Sequence, residues 1–288
     1  MPMFYQFLKK IHHQFLIFLM LQKIKSLFNN QIKKIVGEKK SSLNLDLDVK
    51  NYPKITVIVL NHNNQAIISR CLDSLIEFND YDYQIIVVDN QSTDDSVELI
   101  KTKPANKVKL FLNSKNGAAS GRNLGAKEAK EADYLLFIDS DQGPSKQRWL
   151  DTYLRIMTQY PKIAMLGNGG GFFTEKDLTG PTFEYYSKEA LPEKYSHRTN
   201  IDYLVAGGAM MRNEIFQKIN GFDEAYDPHI FEDADLSRKV LKAGYQIAYC
   251  RDLPIYHLAH STTRANQNNE EYLRQYTKNA QYFRKKWF

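Results

Sequence analysis

From residue 54 onward, short apolar runs alternate with segments of helical spacing. Four runs have the length of a β-strand: KITVIVL (54–60), YQIIVVD (83–89), VKLFLN (108–113) and DYLLFID (133–139). Each of the first three is followed by a segment in which apolar or small residues recur at helical spacing. Strands that alternate with helices predict an α/β fold with a mostly parallel central sheet and helices on both faces.

The pattern is less regular in the second half. WLDTYLRIMTQY predicts a helix and KIAMLG a short strand, but the Gly-, Pro- and Tyr-rich residues 167–200 have no firm periodicity. We expect that stretch to be a loop region that shapes a substrate site or moves. Its GNGGG run lacks both the G-x-G-x-x-G and the Walker spacing, so it does not predict a phosphate loop. DYLVAGGAMMRNEIFQKINGFDE then predicts a strand, a tight bend and a short helix that ends at Gly221.

The last part of the chain predicts two further helices. FEDADLSRKVLKAGY has an acidic helix start and a glycine stop at Gly244, and strands that end at His257 follow it. The C-terminal EEYLRQYTKNAQYFRKKWF predicts an amphipathic helix within residues 266–288. We expect this helix either to contact a membrane or to cap the domain, which spans residues 51–265.

The first 50 residues have a different character. Residues 1–40 contain eight Lys and one Glu, a balance of +7 in a chain whose total is +6. Apolar residues at alternating four- and three-residue steps predict an amphipathic helix, and the longest apolar run, 15–21, is far shorter than the ~20 residues of a membrane span. We expect a basic helix on an anionic membrane surface, or one packed on a partner protein or the main domain, followed by a polar linker to residue 50.

Charge and cysteine content exclude some classes of function. Outside residues 1–40 the chain is close to neutral, so the main body lacks the basic footprint of a nucleic-acid-binding protein. Cys71 and Cys250 lie far apart and form no disulfide or metal-binding pattern. This usage favours a reducing, cytoplasmic setting.

Polar residues follow each of the four apolar runs: Asn61-His62, Asp89-Asn90, Asn113 and Asp139-Ser140-Asp141. Because the carboxyl ends of parallel strands meet at one edge of a sheet, we expect these groups to form a site. The Asp-Ser-Asp segment by itself has two interpretations. It is either a polar turn after a strand or a pair of carboxylates that holds a divalent cation.

Seven blocks together carry a resemblance to a known family. They are ITVIVLNHNN, IIVVDNQSTDDS, NGAASGRNLGA, LLFIDSDQ, AGGAMMRNEIFQKINGFDE, EDADLSRKVLKAGY and YHLAHSTTR. In this order they resemble the family 2 glycosyltransferases, and the rhamnosyltransferase-like branch in particular, over about residues 54–265. The resemblance implies a GT-A type nucleotide-diphosphosugar transferase fold. It also implies transfer of a sugar, with inversion, from a nucleotide diphosphate to an acceptor hydroxyl.

The resemblance implies a metal site for Mn²⁺ or Mg²⁺. Asp141 is the first choice as direct ligand, and Asp139 reaches the ribose or a metal-bound water. In the family a histidine at the place of His257 completes the metal site. His260 competes with His257 for that role.

The resemblance also implies nucleotide-binding and catalytic residues. Asp89 would bond the base, with Asn61 in the same pocket, Ser140 beside the nucleotide sugar, and Arg122 at a base edge or phosphate. Asp233 matches the catalytic base and Glu232 is the second candidate. We expect the helix N-terminus to keep this carboxylate ionised. Asp235 can pair with Arg238 or Lys239 one turn later, so we interpret it as structural.

The donor and acceptor remain open at this point. The family commonly has Thr-Tyr or Ser-Tyr where this chain has Asn61-His62, so the base could be that of a UDP-, dTDP- or GDP-sugar. For a glycan or lipid-linked acceptor, the expected wall is AGGAMMR with Trp149 and the tyrosines of 184–203. Two other hypotheses are a nucleotidyltransferase, which usually carries a Gly-rich signature absent from NHNNQAIIS, and a catalytically silent nucleotide-sugar-binding scaffold.

Overall fold

A computed structural model describes residues 52–173, 182–186, 201–258 and 270–288, with the backbone alone for 182–186. The predictions for residues 1–50 and for His260 therefore lie outside the described residues. Those for the side chains of the tyrosines in 184–200 do so as well.

The described residues contain strands of both orientations and seven α-helices. The strands are β1 (Ile55–Asn61), β2 (Gln84–Asp89), β3 (Val108–Leu112), β4 (Tyr134–Asp139), β5 (Gln142–Pro144), β6 (Ile163–Gly167), β7 (Gly169–Phe173), β8 (Thr182–Tyr186), β9 (Tyr203–Leu204), β10 (Ala209–Arg212), β11 (Gln246–Tyr249) and β12 (Ile255–His257). The helices are α1 (Ile68–Glu77), α2 (Ser96–Lys101), α3 (Ala118–Glu128), α4 (Asp151–Gln159), α5 (Asn213–Lys218), α6 (Glu232–Lys242) and α7 (Glu270–Trp287).

The four predicted strands form one parallel block in the order β3-β2-β1-β4. Residues 55–59 and 85–88 are buried on both sides of the sheet, which explains why these runs are apolar except for Thr56 and do not alternate. The register aligns Asn61 with Asp89, and Leu60 with Asp139. The predicted gathering of polar residues at the carboxyl ends of these strands is therefore confirmed.

The rest of the main sheet is mixed. β10 is antiparallel to both of its neighbours, β4 and β6, and β11 runs parallel to β6 at the far edge. The AMMR segment that we expected to line an acceptor site is β10 itself, with Met210 and Met211 fully buried. Trp149 is also wholly buried, and its indole N–H donates to the carbonyl oxygen of Phe78 at 3.1 Å. The prediction that these residues face an acceptor was wrong, because they fill the core.

Residues 167–200 contain more regular structure than the sequence predicted. β7 pairs with β8 and with β9 in a small antiparallel sheet. Glycines have no side chain to alternate, so Gly169-Gly170-Gly171 shows no strand periodicity although its backbone is paired. A Cβ on Gly170 would lie 2.7 Å from the carbonyl oxygen of Tyr203, so the close approach of β7 and β9 depends on this glycine.

Of the two predicted positions for the C-terminal helix, the described residues show it packed on the domain. Asn279 and Phe283 of α7 are fully buried, and Phe283 lies in an aromatic cluster with Phe173 and Phe231. Among the described residues, no helix is both long and apolar enough to cross a bilayer.

Candidate functional site

Asp139 ends β4 at a point where the surrounding backbone leaves room for its carboxylate. A Cβ on Gly207 would overlap that carboxylate, and would lie 2.9 Å from Oε1 of Gln142. The Asp139 amide donates to the same Gln142 oxygen at 3.1 Å. The Asp139 carboxylate itself accepts a hydrogen bond from Nη2 of Arg122 at 3.0 Å. The sequence did not predict that Gln142 and Gly207 contact Asp139, because neither residue is charged.

Asp141 and His257 lie together beside this strand end. Nε2 of His257 is 3.3 Å from Oδ2 of Asp141, because β5 and β12 pair with Gln142 opposite His257. Burial alone lowers the pKa of His257, but the hydrogen bond and charge of Asp141, with the charge of Asp139, outweigh burial and raise the pKa above its usual value. The predicted pair of residues is thus brought into contact although the two lie 116 positions apart in the sequence.

Arg122 connects the strand end to the acidic start of α6. Its guanidinium lies 3.0 Å from Asp139, 3.2 Å from Glu232 and 3.6 Å from Asp233. The side chain is only 6% exposed, so these charges interact with little screening by solvent. Burial lowers the pKa of Arg122, but the three carboxylates outweigh it and keep the guanidinium charged. Where the resemblance implied a nucleotide contact for Arg122, the structure shows it bound to protein carboxylates.

Glu232 and Asp233 differ in their surroundings although they are adjacent. Glu232 is buried and paired with Arg122, whereas the Asp233 side chain is 19% exposed. Oδ1 of Asp233 is buried without a hydrogen-bond partner among the described residues. Asp233 is therefore the better placed of the two to accept a proton from a bound molecule.

Our expectation that the helix N-terminus keeps Asp233 ionised was wrong for this structure. Burial and the charge of Glu232 raise the pKa of Asp233 well above its ordinary value, and the charge of Arg122 lowers it only in part. Only one guanidinium faces three carboxylates here, so the last carboxylate to ionise has a raised pKa. A raised pKa makes this carboxylate a stronger base when it is ionised.

Asn61 and Asp89 meet at the ends of β1 and β2. Nδ2 of Asn61 donates to Oδ1 of Asp89 at 2.8 Å, and both residues are almost fully buried. Asp89 also accepts from the backbone amide of Ser92 at 2.9 Å and from its hydroxyl at 2.6 Å. Oδ1 of Asn61 is buried with no donor among the described residues, so this acceptor would be satisfied by a donor group that enters the pocket.

Ser140 is held by a residue of the loop after β1. Its hydroxyl accepts from Nδ2 of Asn64 at 2.7 Å. A second network, formed by strand-end residues that we expected at the site, joins the ends of β2 and β3 to the start of α3. In it Asn113 donates to Asn90 at 2.9 Å, and Asn90 donates to the carbonyl oxygen of Gly117 at 3.0 Å.

Asp235 is structural, as predicted, but its partners were only partly foreseen. It lies 3.7 Å from Lys239, one turn later on α6. Its closer partners are on α7: Nζ of Lys286 at 2.8 Å and Nε1 of Trp287 at 2.9 Å. No local sequence pattern indicates contacts between residues about fifty positions apart.

The donor set suits a divalent cation only in part. A carboxylate and a neutral imidazole in contact are acceptable ligands for Mn²⁺. Asp139, however, is bonded to Arg122, and the described residues contain no group of three or more His, Cys, Asp or Glu side chains that could hold a metal. Asp141 and His257 fit as two ligands, which leaves the other positions to ligand oxygens or water.

Two surface cavities of about 420 Å³ each lie away from this cluster. One is at the amino ends of β1 and β2, beside Lys54 and Lys107, and the other is between α3 and α5. Neither is lined by the strand-end acids or by the start of α6. In an open α/β sheet the carboxyl ends of the strands are the usual place for a ligand, so we retain the strand-end cluster as the candidate site.

Comparison with known proteins gives two family matches. Residues 56–220 match glycosyl transferase family 2, and residues 190–261 match a family described as the N-terminal domain of galactosyltransferase. The chain is similar to the O-antigen chain rhamnosyltransferase RfbN of Salmonella typhimurium, with 24% identity over 73% of this chain and 68% of that protein. It is also 24% identical to the O-antigen chain rhamnosyltransferase WbaN of Salmonella anatum, over 63% of this chain and 58% of that one.

Two solved structures share the fold. The crystal structure of GalNAc-T7 with UDP, GalNAc and Mn²⁺ has a TM-score of 0.60 at 17% identity, over 72% of this chain and 44% of that chain. The mannosyltransferase PcManGT from Pyrobaculum calidifontis, in complex with GDP-Man and Mn²⁺, has a TM-score of 0.57 at 18% identity, over 83% and 66%. The predicted GT-A type fold is confirmed. Since the first family match alone covers more than half of the sequence, the chain belongs to glycosyl transferase family 2.

Proposed function

We propose that this protein is a metal-dependent, inverting glycosyltransferase that acts in the assembly of a cell-surface glycan. The observation that carries the proposal is the Arg122 cluster, which joins Asp139 at a strand end to Asp233 at a helix start. This arrangement supports the proposal because Asp233, if it accepts the proton, would lie beside the edge of the sheet where a nucleotide sugar would bind.

Asp233 would act as the general base. The acceptor oxygen attacks the anomeric carbon from the face opposite the diphosphate, and its proton passes to the Asp233 carboxylate. The new carbon–oxygen bond forms as the bond from the anomeric carbon to the phosphate oxygen breaks, and the electron pair leaves with the nucleoside diphosphate. Attack from the opposite face gives inversion.

The strand-end residues would hold the donor. Asn61 and Asp89 would take the base, and Asp139 and Ser140 would face the ribose or sugar, while Arg122 fixes Asp139 through their ion pair. Asp141 and His257 are the described residues that would hold Mn²⁺ or Mg²⁺, with His260 as the alternative to His257. When bound, the cation would neutralise the negative charge that builds on the diphosphate.

The names of two relatives support the proposed class of glycan. Both are named as O-antigen chain rhamnosyltransferases, so a growing glycan or lipid-linked acceptor at the cytoplasmic face of the membrane is the proposed context. Contact of residues 1–40 with an anionic membrane belongs to the same proposal. Deleting these residues should release the protein from anionic vesicles, and unchanged binding would contradict the membrane contact.

A thermal-shift titration with UDP, GDP and dTDP, each with and without Mn²⁺, tests the donor site. A ligand at a hundred times its Kd adds about 2.7 kcal/mol to the free energy of unfolding. We expect one nucleotide to stabilise the protein in a metal-dependent way, which would identify the base of the donor.

The reaction is tested by the product that the protein releases. A glycosyltransferase releases a nucleoside diphosphate from a nucleotide sugar, whereas a nucleotidyltransferase releases pyrophosphate from a nucleoside triphosphate. A silent scaffold binds the nucleotide and releases neither. Pyrophosphate release, or binding without turnover, would overturn the proposed function.

A further inference from the structure

The backbone that leads into α6 has an unusual conformation. Ile230 and Phe231 have φ angles of +81° and +75°, in the left-handed region that residues other than glycine rarely adopt. A β-branched and an aromatic residue in succession are unfavourable there, and such a conformation persists only where its surroundings hold it. The two residues directly precede Glu232 and Asp233, so this conformation sets where α6 begins and where its first carboxylates lie.

Asn279, in the middle of α7, holds this segment. Its side chain is fully buried. Nδ2 lies 2.8 Å from the carbonyl oxygen of Tyr226 and 2.9 Å from those of His229 and Ile230. An amide nitrogen has two hydrogens, so the three carbonyl groups share them. One side chain thus fixes three backbone positions in the five residues before the α6 N-cap residue, Phe231.

Other residues of α7 hold the same region from the next turns. The ring of Phe283 lies 5.3 Å from that of Phe231. Trp287 and Lys286 bond Asp235, which is fully buried and two residues beyond Asp233. One helix that comes about fifty residues later in the sequence therefore binds the backbone before Asp233 and the side chain of Asp235 after it.

We propose that Asn279 is a positioning residue for the catalytic base. This inference rests on the proposed function, in which Asp233 takes the proton of the acceptor. Asn279 is bonded to the backbone rather than to the site, and it acts by keeping the turn at Ile230 and Phe231 in the one conformation that aims Asp233 at the acceptor. A displacement of about 1 Å at a reacting group can cost about a hundredfold in rate.

The test compares Asn279→Ala with Asn213→Ala in the full chain. Asn213 is also a buried asparagine whose amide donates to a backbone carbonyl, that of Ala132 at 2.7 Å, but it lies at the opposite edge of the sheet. The probes are UDP-glucose, UDP-GlcNAc, dTDP-rhamnose and GDP-mannose with Mn²⁺, and the readout is nucleoside diphosphate release with water as acceptor. We expect Asn279→Ala to lower kcat about ten- to a hundredfold with an unchanged Kd for the nucleoside diphosphate. Asn213→Ala should lower the melting temperature but leave kcat within twofold.

A structural readout accompanies the rates. Backbone amides of residues 226–236 should exchange hydrogen faster in Asn279→Ala than in the wild type, and at the wild-type rate in Asn213→Ala. If the first variant is not recovered folded, Trp287→Phe keeps an aromatic ring and removes only the N–H that bonds Asp235. It should lower kcat about two- to fivefold, again without a change in nucleotide Kd.

The contradicting outcomes separate the inference from the function on which it rests. If Asp233→Asn is inactive while Asn279→Ala and Trp287→Phe keep wild-type kcat, the inference is overturned and the function stands. An equal loss of kcat in Asn279→Ala and Asn213→Ala would show general destabilisation and would also overturn it. If Asp233→Asn itself keeps wild-type kcat, Asp233 is not the base and the proposed mechanism is overturned together with the inference.

Discussion

The two sides of the candidate site are assembled in different ways. On the strand side, Asn61 and Asp89 are 28 positions apart and come together because adjacent parallel strands align their ends. On the helix side, Arg122 reaches Glu232 across 110 positions, and Asn279 reaches Tyr226 across 53. The strand side therefore depends on the register of the sheet, whereas the helix side depends on a few long-range contacts.

The two sides also differ in charge and exposure. Asp141 and His257 are paired and partly exposed, with 12% and 26% of their side chains accessible. A bound cation could therefore replace their contact with each other. Glu232 is buried against Arg122, whose replacement would leave carboxylates without a counter-charge. Replacing a polar side chain on the strand side should thus mainly weaken ligand binding. Replacing one on the helix side should affect both the reaction and the stability of the fold.

The largest effect is expected on the helix side. Asp233→Asn removes the proposed proton acceptor and keeps the shape of the side chain, so we expect kcat to fall about 10²- to 10⁴-fold. Nucleotide binding, measured by thermal shift, should be retained because the strand side is intact. If the variant keeps more than half of the wild-type kcat, Asp233 is not the base, and the base does not lie on the helix side.

Asp141→Ala tests the strand side. Loss of this carboxylate should lower metal-dependent turnover about a hundredfold or more, without a large change in melting temperature because Asp141 is not part of the core. Asp252→Ala changes an exposed acid of the turn before β12 and serves as the matched control. Near-normal turnover of Asp141→Ala would contradict the metal assignment.

The pH dependence of metal binding comes next in size. The pKa of His257 is raised above its ordinary value, and a protonated imidazole cannot coordinate a metal. As pH falls below that pKa, each unit should raise the Mn²⁺ concentration for half-maximal turnover about tenfold, and as pH rises above it the dependence should vanish. His257→Gln should bind Mn²⁺ more weakly and lose this dependence. A pH profile identical to that of the wild type would point to another ligand, such as His260.

Gly207→Ala should have the smallest effect of the four. The added methyl group would overlap the Asp139 carboxylate and press on Gln142, which should shift Asp139 without removing it. We expect a loss of about 1–3 kcal/mol in the free energy of unfolding and a severalfold loss of turnover. Lys107→Ala, in the cavity at the opposite edge, is the control and should leave turnover unchanged. Equal losses in both variants would contradict the placement of the site.

The difference between the strand side and the helix side also explains which features could be predicted from the sequence. Apolar runs identified β1, β2 and β4 because a strand that is buried on both faces is almost wholly apolar, and β3, although more exposed, is also an apolar run apart from Lys109. The polar residues after each strand could then be placed at one edge. The contacts of Asp235 with α7 could not be predicted in this way, and neither could the complete burial of Trp149, which we had expected at an acceptor site. They depend on packing between distant segments, for which the side-chain pattern of one segment carries no information. The pairing of β7 escaped prediction for the opposite reason, since three glycines carry no pattern at all.

The position of β10 has a consequence for how the chain folds. β4 is the outer strand of the parallel block until residues 209–212 pair with it. A nascent or truncated chain that stops before β10 would therefore present an apolar strand with an unpaired backbone edge, the kind of surface that promotes association with other chains. The antiparallel strand that completes the sheet thus also covers this edge once residues 209–212 have been synthesised.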